Sequence, residues 1–576
     1  MTRNPGWRGA VAWAVPATEW LPHWRGLLKR DALAALGVSA LLVPQSMAYA
    51  SLAGVPPVYG LYAAVAGLVV YGLLGTSRVL NVGPSSGPAV MTAATVAPLA
   101  AGDGEAYLAI SGALALVTGL ILLAGGLARL GFVAEFLARP VLAGYVIGLA
   151  LTIIVSQLPA LLGLPATSGG FFEKLWELAG DVGDASLATA AVGLCSLALV
   201  LVLRRFTPRV PGALIAVILG VLAVHGLDLE QHGVALIGAL PTTLPQLGLP
   251  DLPLSDYRRV LYGAVGVALL VYAESIAAAR QFAAKGGYEV DANRELIAVG
   301  SANVGVGLVQ GFPIDASVSR TTVAERAGQL SQLAGLLNAG LVVVAIVALG
   351  EFFADLPKAT LAAIVIAAVI PLLRTGELRR LWRLDVVDFA LATLCLLGVL
   401  FAGVLGGIVI AVIAALVALV YRSFTPHVAV LGRLHGGKEG DEDYGFRDIS
   451  RHPDGETYPG LVIFRFDQEI FFANATMFRD HIRELATDAE PPVRTVIVDA
   501  SAVTYVDTTA LDMLGALQKE LAARGAELVF ARLKGPVHDV FKRAEAVGVI
   551  RPFRLFPTLR SAVADFESGT PPPASH

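Results

Sequence analysis

The sequence predicts a polytopic α-helical membrane domain of fourteen spans, followed by an α/β domain. The first reason is composition: 56% of the 576 residues are hydrophobic and 15% are charged, against about 25% charged residues in soluble chains. The second is distribution, because apolar runs of 15 to 25 residues recur up to about residue 424 and then stop. The third is that Gly/Pro breaks occur at corresponding positions of two sets of seven spans.

The spans follow the apolar runs in chain order. The stretch from 290 to 329 is the least regular, since it is neither long enough nor apolar enough for two full crossings. The predicted limits are 32–54, 57–75, 86–101, 106–129, 138–160, 185–203, 211–227, 257–281, 290–308, 316–329, 330–353, 357–374, 384–403 and 404–422.

Basic residues orient these spans. Alternate loops such as "LRRFTPR" and "RTGELRRLWR" are basic, whereas "AGDGEA", "AVHGLDLEQHG" and "GEFFADLPK" on the other side are almost free of Arg and Lys. Lys174, Lys358 and the pair Arg258–Arg259 are the exceptions. Because basic loops remain in the cytoplasm, we expect a multi-pass protein of the inner (plasma) membrane with both termini cytoplasmic.

Composition divides the chain into four segments. Residues 1–30 form a cytoplasmic N-terminal segment, 31–424 the transmembrane domain, 425–566 a cytoplasmic domain with a variable loop at 434–458, and 567–576 a disordered tail. Cys195 and Cys395 lie inside apolar runs and fit no disulfide or metal spacing. Walker, Rossmann and metal-ligand patterns are missing from the sequence, so we predict no cofactor, no metal, no nucleic-acid partner and no enzymatic activity.

Two short spans indicate an inverted repeat. The third and tenth spans, 86–101 and 316–329, are the shortest, and each begins at a break: "NVGPSSGPAVMTAATVA" and "GFPIDASVSRTTVAE". Seven is odd, so a repeat of seven spans must be inverted across the membrane. A half-helix that starts inside the membrane presents free N–H groups and a partial positive charge, which together suit an anion. The alternative is that both breaks are loops between ordinary spans.

Three motifs resemble those of one known family. "VPQSMAYASLAGVPPVYGLYAA", "AESIAAARQFAAKGGYEVDANRELIAVGSANV" and "GFPIDASVSRT" are similar, in order and spacing, to motifs of the sulfate permease (SulP) family, the relatives of animal solute carrier family 26. The resemblance extends over nearly the whole chain. It implies inverted repeats arranged as core and gate domains, a homodimer, and anion transport by alternating access.

The resemblance also implies a substrate site between half-helices 3 and 10. Its residues would be Gln45, Tyr49, Ser85, Ser86, Gly87, Ser317, Val318, Ser319 and Arg320. Interhelical hydrogen bonding is the alternative role for Gln45, and packing is the alternative for Tyr49.

Glu274 is the candidate for the coupling ion. An ionisable residue within a span is costly and marks an ion pathway by default. We assign it a proton, with sodium as the alternative ion and a structural pair with Arg320 as the alternative role. Asp315 departs from the family pattern, and we expect it to cap the helix or to lie at the rim of the pathway.

The C-terminal segment resembles a STAS domain, which SulP proteins carry at this position. It reads as strands alternating with helices. Within "YVDTTALDML", Thr509 falls where related antagonist proteins are phosphorylated, so it is a possible regulatory phosphosite. A plain helix N-cap by Asp507 or Thr508 is the alternative.

The function expected from these features is secondary active uptake of a small inorganic anion. Proton symport of sulfate is the first interpretation. Transport of bicarbonate or C4-dicarboxylates, with protons or sodium, and anion exchange are alternatives. A membrane-tethered STAS signalling scaffold is the rival from another class.

Overall fold

The computed structural model describes residues 15–100, 103–132, 139–165, 167, 169–207, 210–238, 241, 243–373, 375–434, 445–487 and 490–569. Residues 1–14 of the predicted N-terminal segment and residues 570–576 of the predicted tail lie outside this description, as do residues 435–444 of the predicted variable loop. The chain divides into two compact units, Met1–Ala415 and Leu416–His576.

In its described residues, the first half of the membrane unit contains nine α-helices and one short strand. They are α1 (Ala17–Trp20), α2 (Trp24–Ala53), α3 (Pro57–Leu74), β1 (Val82–Gly83), α4 (Ser86–Ala100), α5 (Gly104–Leu127), α6 (Arg139–Leu162), α7 (Phe171–Asp181), α8 (Leu187–Phe206) and α9 (Gly212–Gly226). Single turns of 3₁₀-helix, Leu21–His23 and Val182–Asp184, follow α1 and α7.

The second half repeats the pattern. Its elements are α10 (Leu254–Gly286), α11 (Ala292–Leu308), β2 (Asp315–Ala316), α12 (Val318–Arg326), α13 (Leu333–Ala348), α14 (Gly350–Ala354), α15 (Lys358–Val369), α16 (Thr375–Leu384) and α17 (Val386–Phe424). A 3₁₀ turn at Ile370–Leu372 extends α15. Helix α17 is two helices in series, because Gly403 has φ +75° and breaks the α-helical path there.

Every predicted span contains a helix, and α17 supplies the last two. Among the described residues, eight helices are long and apolar enough to cross a membrane, and three shorter apolar helices accompany them. The predicted fold class is therefore confirmed. Helices α7 and α16 were not predicted; their apolar residues lie on one face only, and no sequence run of spanning length marks them.

Glycines allow a close contact between helices α5 and α11. Helix α5 carries Gly112, Gly119 and Gly126, seven residues apart, against Gly300 and Gly307 of α11. A Cβ atom on Gly119 would lie 2.5 Å from the backbone nitrogen of Val304, and one on Gly307 would lie 2.7 Å from that of Leu116. Only glycine permits backbones to approach this closely, as is usual between helices in membranes.

The C-terminal unit is a six-stranded sheet with helices on both faces. Its strands are β3 (Val428–Arg433), β4 (Phe446–Asp448), β5 (Leu461–Phe466), β6 (Thr495–Asp499), β7 (Glu527–Ala531) and β8 (Leu555–Phe556), in the order β4-β3-β5-β6-β7-β8. Strands β5 to β8 are parallel, and β3 is antiparallel to both of its neighbours. The helices are α18 (Ala475–Thr487), α19 (Thr508–Ala523), α20 (Gly535–Ala546) and α21 (Leu559–Glu567).

The alternation of side chains along β5 separates two cores in this unit. Phe464 and Phe466 belong to the core that contains Phe478 of α18 and Leu514 of α19. Ile463 points to the opposite face, into the core that contains residues of α21. The predicted α/β domain is therefore confirmed.

Candidate functional site

The two predicted breaks meet in space. Strands β1 and β2 pair in antiparallel register, Val82 opposite Ala316 and Gly83 opposite Asp315. The backbone N–H of Ser317 continues the pairing by donating to the carbonyl of Asn81 over 2.9 Å. Each strand leads directly into a short helix, so α4 and α12 leave the pair in opposite directions with both N-termini at its centre. We refer to α4 and α12 as the first and second half-helix.

Arg320 connects the second half-helix to the strand before the first. Its guanidinium is fully buried; Nε donates to Asn81 Oδ1 and Nη1 donates to the carbonyl of Pro84, each over 2.7 Å. Asn81 in turn donates its backbone N–H to Thr321 Oγ1 over 3.0 Å. Among the described residues, no hydrogen bond or ion pair joins Arg320 to Glu274; the acceptors of Nε and Nη1 are neutral oxygens of the first break.

An accessible layer of the site is formed by the first residues of the half-helices. Ser86 and Ser317 are partly exposed, while Val318 and Ser319 are exposed. Ser317 is the N-cap of the second half-helix: its Oγ accepts from the backbone N–H of Arg320 over 3.4 Å and contacts Ser319 Oγ at 3.1 Å. The hydroxyl groups and free N–H groups here can donate to an anion that reaches these residues.

A buried polar layer lies behind it. Several of its side-chain atoms are buried without a hydrogen-bond partner among the described residues: Gln45 Oε1, Ser85 Oγ, Arg320 Nη2 and both carboxyl oxygens of Asp315. Tyr49, the remaining candidate from the first span, is also buried, and it lies close enough to Arg320 and Asp315 for electrostatic interaction. Buried polar atoms are nearly always paired, so a cluster of unpaired ones indicates a place for a ligand, an ion or water.

Glu274 approaches the first half-helix at its start. A Cβ atom on Gly87 would lie 3.3 Å from one carboxyl oxygen of Glu274 and 3.4 Å from the other. Glu274 keeps part of its surface accessible, whereas Asp315, within hydrogen-bonding reach of it, is fully buried. Thus glycine at position 87 lets the carboxyl group reach the N-terminus of the half-helix.

Tyr49, Gly87, Glu274 and Arg320, from four separate spans, thereby lie around Asp315 and the first half-helix. Spans one, three, eight and ten each contribute to the site. The chemistry available is a cation field from Arg320, hydroxyl and N–H donors, and a carboxyl pair. Among the described residues, no group of three or more His, Cys, Asp or Glu side chains has an arrangement that could hold a metal ion.

Three supporting residues were not predicted: Asn81, Ser275 and Asn303. Asn303 holds the backbone before β2, since its amide donates to the Ile314 carbonyl over 3.0 Å and its oxygen accepts from the Ile314 N–H over 2.9 Å. Ser275 Oγ accepts from the Ala316 N–H over 3.1 Å. Each lies within or next to one of the motifs or breaks. For Asn303 the available signal was an amide inside an apolar span.

In the C-terminal unit, Asp507 caps α19. Its carboxylate accepts from the backbone N–H groups of Ala510 and Phe472, each over 2.8 Å. Thr509 lies exposed in the first turn of that helix. A phosphate on Thr509 would meet the positive end of the helix dipole, but also the carboxylate of Asp507.

Curated relatives cover almost the whole chain. A probable sulfate transporter of Mycobacterium tuberculosis is 38% identical over 557 residues, which are 97% of this chain and 98% of the relative. The chloroplastic sulfate transporter 4.1 of Arabidopsis thaliana is 30% identical, over 95% of this chain and 82% of its own length.

Solved structures share the fold. The murine solute carrier 26 family member A9, an anion transporter in the inward-facing state, superposes with a TM-score of 0.89 at 22% identity, over 99% of this chain and 97% of that one. The transmembrane domain of a cyanobacterial bicarbonate transporter gives a TM-score of 0.59 at 23% identity, over 67% of this chain and 97% of that one.

Two family models match the sequence, and between them they cover both units. The STAS domain model matches residues 452–562. The sulfate permease family model matches residues 28–395, well over half of the chain, and with it this chain belongs to the sulfate permease family.

Proposed function

We propose that the protein takes up sulfate, or a similar small oxyanion, together with protons, by exposing the site between the half-helices to each side of the membrane in turn. The observation that carries this proposal is the meeting of two half-helix N-termini around a buried arginine, with a partly accessible carboxyl group against Gly87. In this proposal the anion is bound by Gln45, Tyr49, Ser85, Ser86, Gly87, Ser317, Val318, Ser319 and Arg320.

Weak, numerous donors favour transport over permanent capture. The half-helix N–H groups and the hydroxyls of Ser86, Ser317 and Ser319 each offer a single hydrogen bond, and partial charges replace a second cation. Arg320 has two of its nitrogens engaged by Asn81 and Pro84, so a bidentate grip on the anion is restricted. An anion held in this way can leave again.

Proton coupling follows from the membrane potential. Moving one negative charge against an inside-negative potential requires about 2.3 kcal/mol per 100 mV. A divalent anion therefore accumulates only if cations accompany it. Glu274 lies at the site, keeps accessible surface, and can exchange a proton with water on the open side. In this proposal it carries the coupling proton.

Sulfate is proposed as the substrate because the relatives that cover nearly the whole chain are named sulfate transporters. The bicarbonate transporter shares the fold of the membrane unit, which makes bicarbonate the substrate to be tested against it. The proposal also includes the inner (plasma) membrane as the location, with cytoplasmic termini, and a homodimer as the assembly. Thr509 is proposed as a regulatory phosphosite.

The proposal is tested in proteoliposomes that contain the purified full chain. Uptake of radiolabelled sulfate, bicarbonate and fumarate is measured with an inward proton gradient, an inward sodium gradient, or no gradient. We expect sulfate uptake that the proton gradient stimulates at least tenfold and that a protonophore abolishes. Stimulation by sodium alone, or uptake only in exchange for internal anion, would contradict proton symport; bicarbonate or fumarate as the only transported anion would contradict the substrate.

Arg320 and Arg326 provide a matched pair of variants for the same assay. Both lie on the second half-helix, but Arg320 is buried at the site and Arg326 is exposed at the far end. Arg320→Lys keeps the charge and loses the two directed hydrogen bonds, so we expect at least a tenfold loss of uptake. Arg326→Lys should transport at the native rate. Equal activity of the two variants would place the anion elsewhere.

A further inference from the structure

Asp315 is buried at the centre of the site, and its surroundings do not satisfy it. It is fully buried, and neither carboxyl oxygen has a hydrogen-bond donor among the described residues. Its near neighbours are the carboxyl group of Glu274, the hydroxyl of Ser85 and the guanidinium of Arg320. An ionised carboxylate in such a place would be unstable without a proton or a directed donor.

The backbone holds Asp315 beside Glu274. Asp315 is fixed by its strand register opposite Gly83, and the next residue, Ala316, donates its N–H to Ser275 Oγ over 3.1 Å. Ser275 follows Glu274 directly in helix α10. The hydrogen bond therefore joins the residue after Asp315 to the residue after Glu274. The contact between the carboxyl groups is therefore built into the fold rather than left to free side chains.

We propose that Glu274 and Asp315 form a single proton site, in which the two carboxyl groups share one proton before the anion binds and accept a second proton with it. This inference rests on the proposed proton-coupled function and deepens it, because it adds Asp315 to the coupling site. It also revises the expectation from sequence that Asp315 is a cap or lies at the rim.

Counting charges supports the shared proton. Arg320 is the cation that acts on Asp315, and two ionised carboxylates beside it would leave the empty site with a net negative charge. Such a site repels an anion. With one proton between the two carboxyl groups the site is neutral. The shared O–H also supplies the hydrogen-bond donor that the Asp315 carboxyl group otherwise lacks.

Other ionisable groups around the pair do not supply the missing charge. Tyr49 faces Asp315 from α2, and Tyr145 faces both acids from α6, with Cys395 of α17 next to Tyr145. A phenol and a thiol are neutral at physiological pH. Tyr145 is also buried, and its hydroxyl has no hydrogen-bond partner among the described residues.

The two acids differ in access, which gives the proton a route. Glu274 keeps accessible surface at the start of the first half-helix, and Asp315 lies fully buried behind it. A hydronium ion that reaches the accessible surface of Glu274 gives a proton to a Glu274 carboxyl oxygen and leaves as water. The proton already shared by the pair then bonds to Asp315 alone, so both carboxyl groups end protonated. Anion binding at the accessible layer stabilises the doubly protonated pair, because the added negative charge attracts the second proton.

Proton uptake on sulfate binding tests the inference directly. Sulfate is titrated calorimetrically into the purified full chain in two buffers of different ionisation enthalpy, across a range of pH. We expect uptake of about one proton per anion at its pH maximum for the native chain. Glu274→Gln and Asp315→Asn should each still take up a proton, with the pH of the maximum changed, since one carboxyl remains. The double variant should bind sulfate without proton uptake.

Glu325→Gln is the matched control, because Glu325 lies on the second half-helix and pairs with Lys285 away from the carboxyl pair. It should behave as the native chain. Loss of proton uptake in Glu274→Gln, together with native behaviour of Asp315→Asn, would overturn the shared site and leave Glu274 as sole carrier. Sulfate binding to the native chain without any proton uptake would overturn the proton-coupled function itself.

Infrared difference spectroscopy provides a readout for any variant that fails to bind sulfate. The protonated carboxyl band of the native chain is recorded between high and low pH, and its frequency is compared with that in Asp315→Asn. A shared proton predicts that the band remaining from Glu274 moves when its partner is replaced. A band that stays in place in this variant would contradict the shared site.

Discussion

Arg320 Nε donates to Asn81 Oδ1 over 2.7 Å, so that a residue of the second repeat holds the strand before the first half-helix. The contact is buried on both sides. When a buried charged donor loses its acceptor, the free energy of folding becomes less favourable by about 1–3 kcal/mol or more. Asn81 is thus a positioning residue for the arginine.

Replacing Asn81 by alanine should impair transport more than folding. We expect Asn81→Ala to lower sulfate uptake about tenfold, because Arg320 loses the acceptor that orients its guanidinium. A tenfold loss corresponds to about 1.4 kcal/mol. The matched control is Asn338→Ala, since Asn338 is also buried and accepts one side-chain hydrogen bond, from Ser39 Oγ over 2.7 Å, outside the site. Uptake kinetics of both variants would settle the point, and equal Michaelis constants would count against a positioning role for Asn81.

The serines of the second half-helix should separate binding from stability. Ser319 is exposed, so Ser319→Ala should weaken sulfate binding several-fold and leave the thermal midpoint unchanged. Ser317 also caps the helix, so Ser317→Ala should weaken binding and in addition destabilise the fold by about 1 kcal/mol. Competition binding and thermal unfolding of the two variants measure these effects. If Ser319→Ala lowered the midpoint as much as Ser317→Ala, the assignment of the cap would be wrong.

Two glycines of helix α5 should respond in opposite directions to alanine. A Cβ atom at Gly119 would lie 2.6 Å from the carbonyl oxygen of Gly300, so Gly119→Ala should separate α5 from α11 and reduce the yield of folded protein. At Gly125 nothing lies within 4 Å of the added atom, and alanine should stabilise the helix by about 0.5–1 kcal/mol. Size-exclusion profiles and thermal midpoints in the same detergent compare the two. Equal behaviour of the variants would contradict the described helix contact.

The C-terminal unit should carry a salt bridge with a defined pH dependence. The Arg483 guanidinium, 2.6 Å from Glu520, lowers the pKa of that carboxyl group below its ordinary value. Because the folded-state pKa is depressed, the stabilisation is present above the unfolded value of about 4.3 and is lost as pH falls through the folded value. Both side chains are partly exposed, so Glu520→Gln should destabilise the unit by only about 0.5 kcal/mol at neutral pH.

Hydrogen exchange of α18 and α19 in the full chain measures this difference as a function of pH. The native chain and Glu520→Gln should converge under acidic conditions, where Glu520 is protonated in both the folded and unfolded states. Glu484→Gln, a change at an exposed position of α18, is the control and should match the native chain throughout. A difference between Glu520→Gln and the native chain that persisted at low pH would argue against an ionic origin.

Sequence patterns predicted the spans and the two half-helix starts because these depend on local chemistry. Glycine and proline interrupt a helix wherever they occur, so the breaks before Ser86 and Val318 were readable. Helices α7 and α16 were missed because a surface helix needs only one apolar face. The predicted C-terminal strands followed from alternation within short segments.

The partners of buried groups were not predictable in the same way. The acceptors of Arg320 come from residues 236 and 239 positions away, and the sequence offered Glu274 as an equally reasonable partner. The expectation that Asp315 caps the helix or lies at the rim was wrong, since its burial depends on the register of β1 with β2. A two-residue strand has too short a pattern to reveal a register.

The pairing of β1 with β2 also constrains how the protein is made. Its two strands are separated by more than 230 positions, so during synthesis the first break must wait, unpaired, until the second has emerged. Contacts between such distant segments form late, since a long loop has to close before they stabilise anything. The first seven spans therefore enter the bilayer with half of a site, and the functional centre can assemble only after the second break has been made.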